Sequence, residues 1–269
     1  MTALYGIPAL LLLLLALTLS LALAAGGQIY VRRRFRSADF IAHNEVGGII
    51  IAVSGTLYAV LLGLLTVAMW QHYLEARQLV VMESDADIDV WHSAVGLPAP
   101  VRERVRGDMV RYAGVMTTRE WPLMKSGGYD ATAGAVGMDA INATGSLVPA
   151  NAGQSNAQAA ALQQLTIMHD ARQQRIAANM IGLSWFEWLI LLIGAVCIVG
   201  FCWLFGLRNI RVHLLMTSTV TTIIVSTLVL LFELQFPFRS DVGIRPDAWS
   251  DALAHIHEMQ SGMLPDMRR

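Results

Sequence analysis

The chain has 269 residues, of which 55% are hydrophobic and only 14% are charged, a balance that excludes an ordinary soluble domain. The formal net charge is -1, so no basic field favours nucleic acid, and we expect no nucleic-acid partner. The apolar residues are gathered into blocks with almost no charge, which is the pattern of helices that cross a lipid bilayer.

Four apolar blocks predict an all-α membrane protein with four transmembrane helices. They run over residues 7–25, 46–70, 185–207 and 212–232. The first block also has features of a signal peptide, but no basic residue precedes its apolar run, so we interpret it as a retained span. The third and fourth blocks are separated by only a few residues and therefore form a helical hairpin.

These blocks divide the chain into four segments. Residues 1–70 carry the first and second transmembrane helices, 71–183 a helical extramembrane insert, 184–234 the third and fourth transmembrane helices, and 235–269 a C-terminal extramembrane segment. The lipid bilayer is therefore the first expected partner of the chain.

Arginines mark one side of the membrane. Arg32, Arg33, Arg34 and Arg36 lie between the first two spans, and Arg208 and Arg211 lie between the last two. With four spans, these two connections must share a side. The positive-inside rule predicts that this side is cytoplasmic, with the insert and both termini facing outward.

The insert is predicted to be mostly helical. The second block continues at helix-compatible spacings, without Gly or Pro, as far as Gly96, which predicts one long helix leaving the bilayer. Further helices are predicted over residues 101–120 and 156–181. Residues 125–155 are rich in Gly, Ala, Ser and Asn and lack apolar periodicity, which predicts a loop with room for one short helix. A short amphipathic helix is predicted over residues 247–259.

Four acidic residues alternate along the long helix: Glu83, Asp85, Asp87 and Asp89. Several carboxylates are the ligands that a divalent cation needs. Alternate residues on a helix point roughly 200° apart, however, so the four cannot converge on one ion. We therefore expect a solvated helix face rather than a cation site.

Motifs for metal or cofactor chemistry are absent from the sequence. His255 and His257 lack a third histidine or a cysteine at zinc-ligand spacing, so we predict no metal site. Because no GxSxG, HExxH, Walker or Rossmann pattern occurs, we expect no catalytic residues and no cofactor. The sequence therefore predicts that the protein is not an enzyme.

A stripe of small residues recurs every three or four positions in the second span: Gly48, Ala52, Gly55, Ala59 and Gly63. Small residues let helices approach closely, so one interpretation is packing within the chain. The other is a narrow pore in an oligomer, where small side chains leave room for ions. Both interpretations remain open from sequence.

Two further patterns concern polar residues. The fourth span carries seven hydroxyl residues between Thr217 and Thr227, some of which can bond to their own helix while the rest should face protein or water. In the insert, Glu120 ends one predicted helix, while Arg172 and Arg175 lie one turn apart on another. These three residues predict a structural charge cluster.

Short motifs around the same four spans resemble a bacterial family of membrane proteins called bestrophin-like. The motifs are His43-Asn44, Tyr58-Ala59-Val60-Leu61-Leu62-Gly63, Trp70, Tyr73, Glu83, Glu120-Trp121-Pro122, Asp170-Ala171-Arg172 with Arg175, and Pro237-Phe238. The sequence departs from the family near the last motif, where Ser240 stands in place of an expected glycine.

The resemblance implies a function and an assembly. The name of the family implies distant similarity to bestrophins, which are pentameric anion channels with four spans per subunit and a pore lined by the second. Our first hypothesis is therefore an oligomeric, anion-conducting channel of the inner (plasma) membrane, a pentamer whose partners are its own copies and small inorganic ions. Bestrophins keep the large insert in the cytoplasm, opposite to the side that the arginines predict.

The alternative hypothesis is a non-conducting membrane scaffold or sensor whose helical insert binds a partner. It is motivated by the scarcity of charged residues within the spans, because such residues mark many ion pathways.

Overall fold

A computed structural model describes residues 5–35, 40–41 and 43–261; Arg36 lies outside them. All regular structure in the described residues is helical, and four helices are long and apolar enough to cross a bilayer. The prediction of an all-α chain with four spans is confirmed. The helices are α1 Ala9–Arg34, α2 Asn44–Ser93, α3 Ala99–Val115, α4 Trp121–Lys125, α5 Ala131–Gly145, α6 Ala152–Ala178, α7 Trp185–Trp203, α8 Ile210–Leu234 and α9 Asp247–Ser261.

Helix α2 is the longest element of the chain. Its 50 residues give a length of roughly 75 Å at ~1.5 Å per residue, more than twice the ~30 Å thickness of the hydrocarbon core of a bilayer. A short 3-10 turn, Ala94–Gly96, follows it. The chain forms two compact units, and α2 contributes its residues up to His72 to the first and those from Tyr73 onward to the second.

The first unit combines the residues up to His72 with Gly182–Gln235. Its helices α1, α7 and α8 pack against one another, so α1 is part of the bundle. A small apolar core forms where the helices meet: Tyr58, Leu62, Leu191, Ile198, Ile224 and Leu231. Most other large apolar side chains of these helices point outward, as expected for a bundle immersed in lipid.

Polar contacts join the two arginine-rich connections of the first unit. Arg32 donates hydrogen bonds to the backbone carbonyls of Leu207, at 3.1 Å, and Arg208, at 2.9 Å. The amide of Asn44 both donates to and accepts from the backbone of Gly206, each at 2.9 Å. The prediction that these connections share a side is confirmed. Helix α7 ends at Trp203, earlier than the predicted boundary at residue 207.

The second unit combines Tyr73–Ile181 with the residues from Phe236 onward, and its core is larger. Side chains from α2, α3, α6 and α9 meet in it, among them Val80, Val90, Val105, Met109, Leu165, Met168, Trp249 and Ile256. Two of the motif segments also come together here. The indole of Trp121 lies edge-on to Phe238, with ring centroids 5.7 Å apart, and donates to the carbonyl of Ile244 at 3.0 Å.

The prediction of a loop with room for one short helix over residues 125–155 underestimates the helix, because α5 occupies 15 of these residues. Asp130 caps the helix by accepting a hydrogen bond from the backbone N–H of Thr132 at 2.7 Å. The buried face of α5 consists mainly of small residues such as Ala133 and Ala140. A β-carbon at Gly137 would lie 3.5 Å from Met168. Small residues permit this close packing but give little hydrophobic periodicity.

The predicted helix over residues 101–120 is interrupted in the structure. Helix α3 ends at Val115, and a π-helical segment, Met116–Glu120, leads into α4. A π-helical turn contains about one residue more than an α-helical turn. The side chains that follow it therefore point in a different direction from those of an uninterrupted α-helix. Glu120, at the end of this segment, is completely buried.

Candidate functional site

Helix α2 presents three different faces within the first unit. One face packs against the chain's own helices: Tyr58 donates its hydroxyl to the carbonyl of Leu191 at 2.8 Å, and Leu62 is buried beside it. Gly47 lies on the same face, where a β-carbon would come within 3.8 Å of Phe201. This face attaches α2 to α7.

A second face carries large aliphatic side chains. It consists of Ile49, Val53, Leu57, Val60, Leu64 and Val67, all of which are exposed. At ~3.6 residues per turn, these positions lie together on the side of α2 away from Tyr58. Exposed aliphatic side chains on a membrane span face lipid or another apolar helix.

The third face is the small-residue stripe of Gly48, Ala52, Gly55, Ala59 and Gly63. Ala52, Ala59 and Gly63 are exposed, while Gly48 and Gly55 are partly buried. A β-carbon built at any of the three glycines would meet no atom within 4 Å. Packing within the chain therefore does not explain these glycines. The structure leaves the stripe as an open face of a membrane span.

The hydroxyl residues of α8 are divided between self-bonding and buried positions. Thr219, Thr221 and Thr227 donate to carbonyls of their own helix, four residues earlier, at 2.8 to 2.9 Å. Thr217 and Thr221 are buried in the first unit. The helix backbone satisfies the hydroxyls of Thr219, Thr221 and Thr227, whereas the buried hydroxyl of Thr217 has no hydrogen-bond partner among the described residues.

In the second unit, the structure brings together the three residues of the predicted charge cluster. One Arg172 nitrogen lies 3.1 Å from Glu120 Oε1 and also donates to the carbonyl of Asp130 at 2.8 Å. An Arg175 nitrogen lies 3.2 Å from the same Glu120 oxygen. The second Glu120 oxygen accepts from the backbone N–H of Asp130 at 2.7 Å. Both partners of the Glu120–Arg175 pair have completely buried side chains.

The cluster has two further members that the sequence analysis missed. Glu83 of α2 accepts from Arg175 Nε at 2.5 Å and Nη2 at 3.1 Å, and from the Tyr112 hydroxyl at 2.6 Å. We call Glu83, Tyr112, Glu120, Arg172 and Arg175 the ionic network. It ties α2, α3, the π-helical segment and α6 to one another.

Burial and charge together set the protonation of this network. Burial alone would lower the pKa of Arg175, but the charge and hydrogen bonds of Glu83, together with Tyr112 and the charge of Glu120, outweigh it and raise that pKa. Burial, followed by the charge of Glu83, raises the pKa of Tyr112 well above its usual range. Arg175 therefore stays charged, and Tyr112 stays a neutral donor to Glu83.

The expectation of a solvated acidic face is wrong for two of its four residues. Asp85 and Asp89 are exposed, but Glu83 and Asp87 are completely buried. The signal in the sequence that indicates their burial is the helical spacing. Glu83 and Asp87 continue the series of core positions formed by the buried residues Ala76, Val80, Val90 and Ala94.

The described residues contain no group of three or more metal-ligating side chains. His255 lies near His92, with ring centroids 6.2 Å apart, while His257 is exposed on the same helix. Two histidines at this separation do not form a closed zinc site.

Comparison with known proteins now places the chain in a family. A family model described as the bestrophin-like domain matches residues 18–249. The chain belongs to the bestrophin-like family. The predicted resemblance is confirmed, and the chain is a multi-pass membrane protein. No curated protein matches it.

Crystal structures of a bacterial bestrophin homolog from Klebsiella pneumoniae share the fold. The structure phased with zinc is 16% identical, with a TM-score of 0.67 over 92% of this chain and 99% of that chain. A leucine-to-threonine variant of the homolog is 16% identical, with a TM-score of 0.68 over 91% and 99% of the two chains.

Proposed function

We propose that copies of this chain assemble into an ion channel in the inner (plasma) membrane, with α2 of each copy at the wall of a central pore. The observation that carries the proposal is the open small-residue stripe of α2. A membrane helix with one face attached to its own bundle, one aliphatic face and one small, unoccupied face is suited to the wall of a pore.

The stripe is better explained by an assembly than by lipid. Gly48, Gly55 and Gly63 have no neighbouring atom within 4 Å of a β-carbon position, so a single copy gains no packing from them. Association of membrane helices depends on close packing of small residues, because lipid tails already solvate large apolar side chains. In a ring of copies, the stripe would face the axis or a neighbouring α2, and the aliphatic face would meet lipid or the adjacent subunit.

The residue types around the stripe suit a pathway for anions better than a cation filter. Residues 46–74 of α2 contain no Asp or Glu, whereas cation channels commonly carry acidic rings. Thr56 and Thr66 donate their hydroxyl protons to carbonyls one turn earlier, at 2.8 and 2.7 Å. We propose anion conduction, supported by this absence of acidic residues and by the family relationship to bestrophins. We also propose five copies, the number found in bestrophins.

The proposal is tested by comparing ion flux with oligomeric mass. Gly55→Leu and Ala59→Leu place bulk on the stripe, and both should abolish chloride flux in liposomes. Leu57→Ala, on the aliphatic face, is the matched control and should conduct nearly as the parent does. Loss of flux with intact oligomeric mass identifies a pore-lining position, and loss of both identifies a packing position.

Two results would contradict the proposal. One is full chloride flux in both stripe variants with the oligomer intact. The other is a parent protein that remains a monomer in a bilayer, because a single copy encloses no pore. The latter result would favour the non-conducting scaffold, whose insert binds another protein.

A further inference from the structure

Asp87 is a buried carboxyl group without a hydrogen-bonding partner. Its side chain is completely inaccessible to solvent, and neither Oδ1 nor Oδ2 has a hydrogen-bond partner. It lies on α2 one helical turn after Glu83, so the two carboxyl groups occupy the same face of the helix. An ionised carboxylate in such a position would lack both solvation and any donor.

Apart from Asp87, the buried charged and titratable groups among the described residues of the second unit belong to the ionic network. They are Glu83 from α2, Tyr112 from α3, Glu120 from the π-helical segment, and Arg172 and Arg175 from α6. The partly buried Arg106 of α3 stacks on the ring of Trp91, at 3.8 Å from its centroid. The described residues of α4, α5 and α9 bury no charged side chain there. Among the charged groups, Glu83 is the one whose charge raises the pKa of Asp87, in addition to the effect of burial.

The charges of the network already balance without Asp87. The carboxylates of Glu83 and Glu120 are matched by the guanidinium groups of Arg172 and Arg175. An ionised Asp87 would therefore add one uncompensated negative charge to the interior of the second unit. The charge that it would meet across one helical turn, that of Glu83, is also negative. Binding a proton removes this repulsion and most of the desolvation cost.

We propose that Asp87 is a proton-binding site on α2, which holds its proton in the folded core and releases it as the pH rises, weakening the contacts between α2 and the rest of the insert. Loss of this proton makes the insert less stable under alkaline conditions. Because α2 also carries the small-residue stripe, the effect on flux rests on the proposed function. The proton site itself does not.

The direction of the pH dependence follows from linkage. In the unfolded chain, Asp87 releases its proton near its ordinary pKa of about 3.9. In the folded protein, burial and then Glu83 raise this pKa, so the folded state holds the proton over a wider range. Stability therefore falls as the pH rises through the interval between the two values, and it levels off above the folded value.

The first test measures the proton directly by infrared difference spectroscopy of the full chain in nanodiscs. At neutral pH, the parent should show the carbonyl band of a protonated carboxylic acid, which shifts in D2O. Asp87→Asn should lose that band. Asp89→Asn, which changes an exposed residue on the same helix, should retain it. A parent spectrum without the band at neutral pH, or a band retained in Asp87→Asn, overturns the proposal.

The second test uses the neighbouring charge and does not depend on folding of the Asp87 variant. Glu83→Gln removes the repelling charge, so the infrared band should disappear at lower pH than in the parent. An unchanged titration would overturn the assignment. In melting experiments, each pH unit within the window should shift the folding equilibrium of the parent up to tenfold relative to Asp87→Asn. If the ratio of the folding equilibrium constants of the parent and Asp87→Asn stays constant from pH 5 to pH 8, the proposal is contradicted.

Flux measurements connect the proton site to the channel. If the parent conducts, its flux should change with pH over the range in which Asp87 loses its proton, and Asp87→Asn should show a flatter dependence. Equal pH dependence in the two proteins would overturn the regulatory role. If the parent passes no ions under any condition, the proposed function fails, while the infrared band still decides the proton site.

Discussion

Replacing Glu120 by alanine should destabilise the insert strongly, because this side chain lies at the centre of the ionic network. Glu120 is completely buried and accepts from Arg172, Arg175 and the backbone N–H of Asp130. Its removal leaves Arg172 with only the Asp130 carbonyl, at 2.8 Å. Arg175 keeps the carboxylate of Glu83.

The size of the destabilisation follows from the contacts that Arg172 and Arg175 keep when Glu120 is removed. Breaking a buried ion pair by removing one partner typically destabilises a protein by about 3–5 kcal/mol. Since Arg175 keeps its stronger partner, we expect the lower end of the range, about 3 kcal/mol. For a protein of this size, that loss corresponds to a fall in Tm of roughly 6–12 °C.

The assay is thermal melting of the purified protein in detergent, with a double-mutant cycle. Glu103→Ala is the matched control, because Glu103 is exposed on α3, and it should melt within about 0.5 kcal/mol of the parent. The double variant Glu120→Ala with Arg172→Ala should be less destabilised than the sum of the single variants. If Glu120→Ala and Arg172→Ala both melt like Glu103→Ala, the network does not stabilise the insert.

Two further predictions concern topology and packing. In a background without Cys197 and Cys202, the positive-inside rule predicts that Ser155→Cys reacts with a membrane-impermeant thiol reagent in intact cells while Phe35→Cys does not; the reverse pattern would support a cytoplasmic insert. Gly194→Ala should destabilise the first unit by about 1–3 kcal/mol in melting experiments, because the new methyl group would overlap the ring of Tyr58. Gly200→Ala, on the same helix with no atom within 4 Å, should melt like the parent, and equal melting of the two variants would show that the Tyr58 contact is not tight.

The membrane spans could be predicted from sequence because their signal is local. A run of about 20 apolar residues without charge must be removed from water, whatever its partners. The shared side of the Arg32 and Arg208 connections followed from counting spans. The contact between Asn44 and Gly206, just after the end of α7, could not be predicted, because the two residues lie 162 positions apart in sequence.

The position and length of helix α5 were not predicted, because its core contacts are made by small residues. Ala133 and Ala140 are fully buried, but alanine and glycine carry little hydrophobic contrast along a sequence. The helix is recognised only when the surfaces of α3 and α6 are present. Its capping residue Asp130 was the local signal available.

The burial of Glu83 and Asp87 could not be inferred from their charges. Carboxylates along a helix usually form a solvated face, and for Glu83 a tertiary partner reverses that expectation, whereas Asp87 is buried without a hydrogen-bond partner. The partner of Glu83 is Arg175, 92 residues away. The grouping of Glu120, Arg172 and Arg175 was accessible because the two arginines are one turn apart and Glu120 lies at a predicted helix end.

The measurement that tests the central claim most directly is ion flux through the parent protein, reconstituted in liposomes after its oligomeric mass has been determined. We expect an oligomer of about five copies that passes chloride, with flux lost in Gly55→Leu while the mass is unchanged. A correctly assembled parent that passes no chloride, bicarbonate, potassium or sodium at any tested voltage or pH would contradict this expectation.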